Sequence, residues 1–520
     1  MAFAAVNPLE TTMVLTNQVG YDLRDAKTFL VQSPKDMPAP RFVVKDKSDG
    51  RTVLKGDLQP LGTMKSWGGG WAAVRYWKGD FSRLEKPGRY VIEVGDSDPV
   101  ASPSFAVGDR VVLRDLALFS GSGFLKTVRF GKGGWQSDGV PAEDNVLFCV
   151  GAGTYGLAKA YDADTAYWKQ QGKSDAMIEE IRWGMKGLMF AQEQEKNGRF
   201  VGTNPDGRND AYAGLGIAAL ARLARASYLT REERDDCLKR AKQSWEYYKD
   251  KDKLIEAFEG RLHYAPLAHG LMVLASTELY EVDKDQRYLQ SAADQATAAA
   301  RLWNRWWPHA GGWTTEQWQA GIMPGCLANF AIKHPKSVPD GVKNALRRWT
   351  EYANPLSENV FGMPAWDRSH FLNPLVNGPG AQWGENGRYI TNAWALSLAA
   401  RWSGKAKLRT MALNNLNYVM GVNPAGVCMI HQKGERSQEG WWGLVRAGSI
   451  SNGMITISAA QGQPVETRPY TGATADRKEK NGAPAFVGGN QFPNIYCTSE
   501  PWSPYNGWML IALSEMVDAE

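Results

Sequence analysis

Ile495-Tyr496-Cys497-Thr498-Ser499-Glu500-Pro501-Trp502-Ser503-Pro504-Tyr505-Asn506-Gly507-Trp508-Met509-Leu510 joins an irregular segment to an apolar run near the end of a 520-residue chain. Pro at an early helical position and the apolar residues after it predict a helix over 502–518. Glu500 falls just before its first turn. A helix start stabilises a carboxylate, while the rings of Trp502, Tyr505 and Trp508 desolvate it and push its pKa the other way. Such opposed effects can set a carboxyl group for acid catalysis, and sugar rings stack on faces of this kind. An acidic residue that merely starts a docked terminal helix is the simpler reading, and it stays open on these residues alone.

Working back from this helix, the 3.6-residue apolar period persists to Val111. Helical runs are predicted at 110–128, 144–163, 176–195, 209–227, 231–249, 266–281, 285–306, 315–334, 339–353, 388–403, 405–420 and 502–518. Twelve helices with mostly short connections bury both faces of each amphipathic pair by closing as six antiparallel hairpins. The expected fold class is therefore mainly α, an (α/α)6 barrel. Its even helices all start at one rim, and polar and aromatic residues collect before them: Gly133-Gly134-Trp135, Asp138, Glu143 and Asp144, then Asn209 and Asp210, Trp313, Trp383 and finally Glu500. Helix capping accounts for Asn209 and Asp210. It does not account for recurring tryptophan, so Trp135, Trp313, Trp383 and Trp502 are expected to line one groove.

Ahead of the helices, residues 13–107 read as strands and turns: Met13-Val14-Leu15, Thr28-Phe29-Leu30-Val31, Arg41-Phe42-Val43-Val44, Thr52-Val53-Leu54, Ala73 to Trp77 and Arg89 to Val94, separated by Asp, Gly or Pro. A small β-sandwich is expected there, followed by the barrel over 108–520. Trp67, Trp71 and Trp77 look exposed and suit anchors against the barrel. About 80 residues, 421–501, break the pattern of short loops; rich in Gly, Pro and aromatics, they are expected to fold as a cleft wall.

Composition narrows the function classes. The 60 basic and 55 acidic side chains leave a net charge of +5 without a run of five like charges, which argues against nucleic acid and against a polybasic membrane anchor. No apolar run reaches the length of a membrane span. The start, Met1 to Pro8, is too short and lacks the basic residues of an intact signal peptide. Five scattered cysteines, Cys149, Cys237, Cys326, Cys428 and Cys497, indicate neither a disulfide framework nor a zinc site, and no metal ligands are named. The 21 tryptophans and 54 glycines are a pairing common where aromatic platforms line a groove, although buried tryptophan would count the same.

Three segments resemble glycoside hydrolase family nine, the cellulase family that joins an N-terminal immunoglobulin-like domain to an (α/α)6 barrel. Asn17-Gln18-Val19-Gly20-Tyr21 is similar to its NQVGY signature. Gly79-Asp80-Phe81-Ser82 with Lys86-Pro87-Gly88-Arg89-Tyr90 is similar to its DFS and PGxY pair. Leu416-Asn417-Tyr418-Val419-Met420-Gly421-Val422-Asn423-Pro424 is similar to its LNYxLGxNP segment.

The resemblance implies an inverting glycoside hydrolase acting on β-linked polysaccharide or oligosaccharide. It makes Glu500 the general acid, with Ser499 in front of it where the family has Asn. The family's base segment, GGWHDAGDYG, is matched by Gly133-Gly134-Trp135 but then lengthened. Asp138 corresponds to its first Asp, and Asp144, with Glu143 as the alternative, to its second. Inversion implies carboxyl groups roughly 6.5–9.5 Å apart, with a water between base and sugar. Arg446 is the nearest match to the family's His-His-Arg sugar contact, a difference that bears on which sugar is bound more than on glycoside chemistry. Trp135, Trp313, Trp383, Trp502 and Tyr505 complete the expected substrate contacts. No cofactor is required; the family often binds calcium, but this chain has no EF-hand loop to supply ligands. A secreted or periplasmic protein is expected from the family. Two alternatives remain on sequence: a carbohydrate-binding protein that has lost catalysis, and an exo-acting glycosidase on a non-cellulosic oligosaccharide.

Overall fold

The computed structural model of the chain describes residues 9–37, 40–64, 73–96, 98–136, 146–193, 197–201, 208–250, 254, 264–306, 320–352, 360–363, 385–437, 446–453 and 500–517. Two compact units emerge. One comprises Met1–Asp115, Ala353–Tyr389 and Thr410–Pro501; the other comprises Leu116–Tyr352, Ile390–Arg409 and Trp502–Glu520.

The first unit holds the β-sandwich. Its strands are β1 Met13–Leu15, β2 Gly20–Asp22, β3 Thr28–Ser33, β4 Arg41–Asp46, β5 Thr52–Asp57, β6 Gln59–Thr63, β7 Arg75–Asp80, β8 Gly88–Val94, β9 Val100–Ala101 and β10 Phe105–Gly108. One sheet runs β1-β3-β7-β6 and the other β2-β10-β8-β4-β5, with β9 added beside β8. Alternate residues of β4 and β8 are buried, as expected of strands with one face on a core. Rings of Tyr21, Phe29, Phe42, Phe81, Tyr90 and Phe105 fill that core. β6 escapes sequence reading because Pro60 and Gly62 interrupt it; it lies at a sheet edge with an irregular register, where proline is tolerated. Trp77 corrects an expectation: it is 4% exposed and belongs to the sandwich core. Trp67 and Trp71 lie outside the described residues.

Two of the motifs quoted above meet in this unit. Asn17 Nδ2 donates to Asn417 Oδ1 at 2.9 Å, and the Gln18 backbone N–H donates to the Met420 carbonyl at 2.9 Å. The Gln18 carboxamide donates to the Gly426 carbonyl at 2.9 Å and accepts the Arg436 N–H at 2.8 Å. Gly421, at φ +130°, is needed here, since a Cβ would fall 2.5 Å from the Thr16 carbonyl oxygen.

Most of the helices lie in the second unit; helical residues 111–115, 385–389 and 410–419 belong to the first. In chain order the helices are α1 Val111–Leu116, α2 Phe124–Thr127, α3 Val146–Ala163, α4 Thr165–Gln170, α5 Ser174–Glu193, α6 Arg208–Ala211, α7 Ala213–Leu223, α8 Arg231–Tyr248, α9 Ala265–Asp283, α10 Gln286–Trp306, α11 Ile322–Lys333, α12 Asp340–Tyr352, α13 Glu385–Ser403, α14 Ala406–Val419 and α15 Ser503–Val517. A π-helical turn, Ala117–Gly123, links α1 to α2. Each of the twelve predicted runs contains a helix.

The helices fall into two kinds. α8 buries only Cys237, Ala241, Ser244, Trp245 and Tyr248, one stripe at helical spacing, as an outer helix should. α15 is buried along its whole length, and α7 and α9 nearly so, as expected of helices covered on every side. Glycine brings these inner helices together. A Cβ on Gly156 of α3 would lie 2.3 Å from the Gly507 carbonyl oxygen of α15, and one on Gly214 of α7 would lie 2.3 Å from the Leu271 backbone of α9. Gly216 of α7 approaches Leu147 of α3, Gly270 of α9 approaches Met323 of α11, and Gly325 of α11 approaches Trp394 of α13. Trp394 and Trp508 rings, 5.3 Å apart, join α13 to α15 and complete the ring. α3, α7, α9, α11, α13 and α15 are thus the inner helices of an (α/α)6 barrel.

Candidate active site

Glu500 is 7% exposed and sits three residues before α15. Pro504, at the second helical position, costs the helix nothing because an N–H there has no intrahelical acceptor. Two bonds fix the residue to the segment 446–453: Asn452 N–H donates to the Glu500 carbonyl at 2.8 Å, and Asn452 Nδ2 donates to Glu500 Oε2 at 3.2 Å. An antiparallel bridge joins the adjoining pair, Ser451 and Pro501.

That segment is itself backed on two sides. Ser451 N–H donates to the Met429 carbonyl at 3.2 Å, and His431 N–H donates to the Ser449 carbonyl at 2.8 Å. From the first turn of α13, Asn386 donates its backbone N–H to the Asn452 carbonyl at 3.0 Å and its carboxamide to the Ser451 carbonyl at 2.9 Å. The 420–436 turn behind it is the one held by Gln18 of the sandwich, so hydrogen bonds run continuously from the NQVGY motif to Glu500 within one unit. Arg446 stands at the head of the segment with an exposed side chain.

In the helical unit, aromatic rings gather where inner helices start. Phe148 in the first turn of α3 packs on Tyr212, directly before α7, with centroids 5.1 Å apart, and edge-on against Trp502 at 5.8 Å. Trp502 and Tyr505 stack at 6.1 Å with planes 18° apart. Phe148 and Tyr212 escaped sequence reading; the signal was an aromatic residue at the start of an inner helix. Asn452 was also missed, although it stands before a glycine in the long irregular segment.

Trp135 behaves differently from Trp502. The chain folds back through a bridge between Arg129 and Trp135, with Gln136 N–H on the Val128 carbonyl at 3.0 Å. Its indole is 5% exposed, donates to Glu180 Oε1 at 2.6 Å, and fills the space left by Gly153 of α3 and Gly184 of α5. Two turns down α3 and wedged between helices, it is not on the rim. Asp210 is likewise engaged structurally, by Arg199 at 3.0 Å and the Tyr248 hydroxyl at 2.6 Å. Asp138, Glu143, Asp144, Trp313 and Trp383 lie outside the described residues. Among the described residues no group of three or more His, Cys, Asp or Glu is arranged to hold a metal ion, and no helix is long and apolar enough to cross a membrane.

Comparison with known proteins adds a family. A family described as "Glycosyl hydrolase family 9" matches residues 141–442, and "Cellulase N-terminal ig-like domain" matches 10–98. No curated protein sequence matches the chain. Among solved structures, a metagenome-derived glycoside hydrolase family 9 endoglucanase is 18% identical with a TM-score of 0.62, covering 97% of this chain and 99% of its own. A Bacteroides ovatus family 9 protein is 16% identical at 0.59, covering 97% and 98%. AaCel9A, solved with cellobiose-like isofagomine, is 15% identical at 0.62, covering 97% and 100%. These likenesses are of fold.

Proposed function

We propose that this chain, which belongs to glycosyl hydrolase family 9 and is a glycoside hydrolase, cleaves a β-linked glucan or a related β-linked polysaccharide by a single inverting displacement. The observation that carries the reading is Glu500: a buried carboxyl, held by an amide donor immediately before the last inner helix. It serves as the general acid and protonates the leaving glycosidic oxygen. Asp144, two residues before α3 and assisted by Asp138, activates the attacking water, with Glu143 as the alternative base. Inversion needs both carboxyl groups on opposite sides of the scissile bond. Trp313, Trp383, Trp502, Tyr505 and Arg446 are the proposed sugar contacts; Trp135 belongs to the packing of α3 and α5.

Residues 13–107 form the proposed immunoglobulin-like domain and 108–520 the catalytic domain, with the sandwich acting as a support. Its bonds to the 420–436 turn favour that role, so deletion of 1–107 should cost soluble yield first, and a truncated chain that stays soluble and fully active would count against it. The proposed setting is secreted or periplasmic, since a polysaccharide does not enter a cell intact.

The test is chemical. A panel of β-glucans, xyloglucan and chitosan oligomers is offered to the full chain, and the first product's anomeric configuration is followed by NMR. Release of α-configured reducing ends from a β-linked substrate is expected. Retention overturns the mechanism, and no release from the panel favours a sugar-binding role. Asp144→Asn should abolish turnover; an undiminished variant moves the base to Glu143 or Asp138.

A further inference from the structure

We propose that Asn452 is the positioning residue of the general acid, and that it determines which oxygen of Glu500 carries the proton. This rests on the reading of Glu500 as the acid. Asn452 is fully buried, and its carboxamide Nδ2 donates to Oε2 of Glu500 at 3.2 Å. An amide N–H directed at one carboxyl oxygen disfavours protonation there, so the transferable proton resides on Oε1. When that proton passes to the glycosidic oxygen, negative charge grows on the carboxyl group, and the Asn452 donor meets it on Oε2. The contact strengthens as the glycosidic bond breaks, which is the kind of interaction that raises turnover rather than affinity. Water completes the reaction by adding its hydroxyl to the anomeric carbon and giving its proton to the base.

The frame around Asn452 is built to keep that side chain in one place. Its backbone N–H is on the Glu500 carbonyl and its carbonyl accepts from Asn386 N–H, so residue 452 is pinned at both ends of its peptide units whatever its side chain. Asn386 is pressed against Gly453, where a Cβ would fall 2.1 Å from its carboxamide nitrogen. Gly453 itself has φ +71°, a left-handed backbone directly after Asn452 that favours glycine. Among the described residues, the charged or titratable groups on the elements packed around Glu500 are Cys428, His431, Lys433, Glu435 and Arg436 on the turn behind, Arg446 at the head of the segment and Arg388 in the first turn of α13; Glu435 is paired with Lys47 at 2.7 Å. Lys433 is paired with Asp115 at 2.5 Å.

Two variants, Asn452→Ala and Asn452→Asp, test this in the full chain, and both retain the backbone bonds. An N–H donor favours the ionised carboxylate, so its loss raises the pKa of Glu500. The acid must be protonated to act, and the alkaline limb of kcat/KM should therefore move upward, by about one pH unit in the alanine variant and further in the aspartate variant. With the oligomer that the wild type hydrolyses best, kcat should fall roughly 10- to 100-fold, with KM little changed. The loss should be smaller on an activated aryl β-glycoside, whose leaving group needs little protonation. If the alanine variant fails to fold, the nearly isosteric aspartate variant carries the test. An alkaline limb that stays in place in the folded variants overturns the proposal. Glu500→Gln, measured beside them on both substrates, separates the two readings: equal losses on oligomer and aryl glycoside remove the acid role itself, whereas a selective loss on the oligomer with unmoved limbs in the Asn452 variants removes only the positioning role.

Discussion

At the starts of the inner helices Phe148, Tyr212, Trp502 and Tyr505 pack ring against ring, whereas toward their ends every one of the six carries a charged side chain. Lys159 of α3 and Arg401 of α13 both pair with Glu515 of α15, the first at 2.6 Å. Tyr155 of α3, Arg225 beyond α7 and Lys333 of α11 all bond Glu278 of α9, while Arg222 of α7 holds Asp162 at 2.7 Å. Helix dipoles explain the difference. C-terminal ends are partly negative, so Lys159, Arg222, Lys333 and Arg401 are favourable there, but the two buried glutamates oppose the dipoles and depend on those cations. N-terminal ends are partly positive and favour carboxylates by themselves, and the proposed acid and base each precede such an end in the sequence.

The largest expected effect belongs to the charged end. Glu278 is wholly buried; burial alone would raise its pKa, but Lys333, Arg225 and Arg222, with the Tyr155 hydroxyl, outweigh it and hold the carboxyl far below its usual range. Glu278→Ala strands those cations and should destabilise the fold by about 3–5 kcal/mol, read by urea denaturation. KM of the protein that remains folded should hardly change, because the lesion is remote from the rim. A change in KM at unaltered stability would reverse the assignment of the two ends.

Protonation is a weaker way to the same end. Burial also raises Glu515, and Lys159, Arg401 and Lys333 again outweigh it, so both glutamates titrate below their unfolded value. A depressed folded pKa contributes stability that is full above the unfolded value, near 4.3, and is lost as pH falls below it toward the folded pKa. Tm should therefore drop steeply below about pH 4, and Glu278→Gln should flatten that slope while lowering Tm at neutral pH. An acid slope identical in wild type and variant would show that other carboxylates govern it.

The two ends also differ in how far sequence reveals them. Periodicity located all twelve helices, because an apolar stripe such as Cys237, Ala241, Ser244, Trp245 and Tyr248 is a local signal. Glu500 was legible for the same reason: Pro and aromatic residues mark the helix start around it. The charged network was not, since Lys159 and Glu515 lie 356 residues apart and nothing local pairs them. Asn17 and Asn417, 400 residues apart, were visible as parts of two motifs but not as partners of each other. Trp135 precedes an inner helix in the sequence, which points to the rim, yet the chain turns back and its neighbours, Gly153 and Gly184, are the small residues that make room for it.

The smallest expected effect tests whether the aromatic end is more than packing. Trp502 is 7% exposed, stacks on Tyr505 and meets Phe148 edge-on, so Trp502→Ala would open a cavity and confuse affinity with stability. Trp502→Phe keeps a ring in both contacts while removing the wider indole face. On the reading that this face contacts sugar, the lost contact is worth about 0.5–1.5 kcal/mol, roughly a two- to tenfold rise in KM with kcat little altered. Packing predicts the opposite pattern, a lower Tm with KM unmoved, because a core ring is felt by the fold and not by the ligand. Measuring Tm and KM on the same preparation separates them. A variant with wild-type KM and a Tm loss like that of an ordinary core substitution would leave the rings of Phe148, Tyr212, Trp502 and Tyr505 as the apolar counterpart of the charged end, with sugar recognition assigned to other residues.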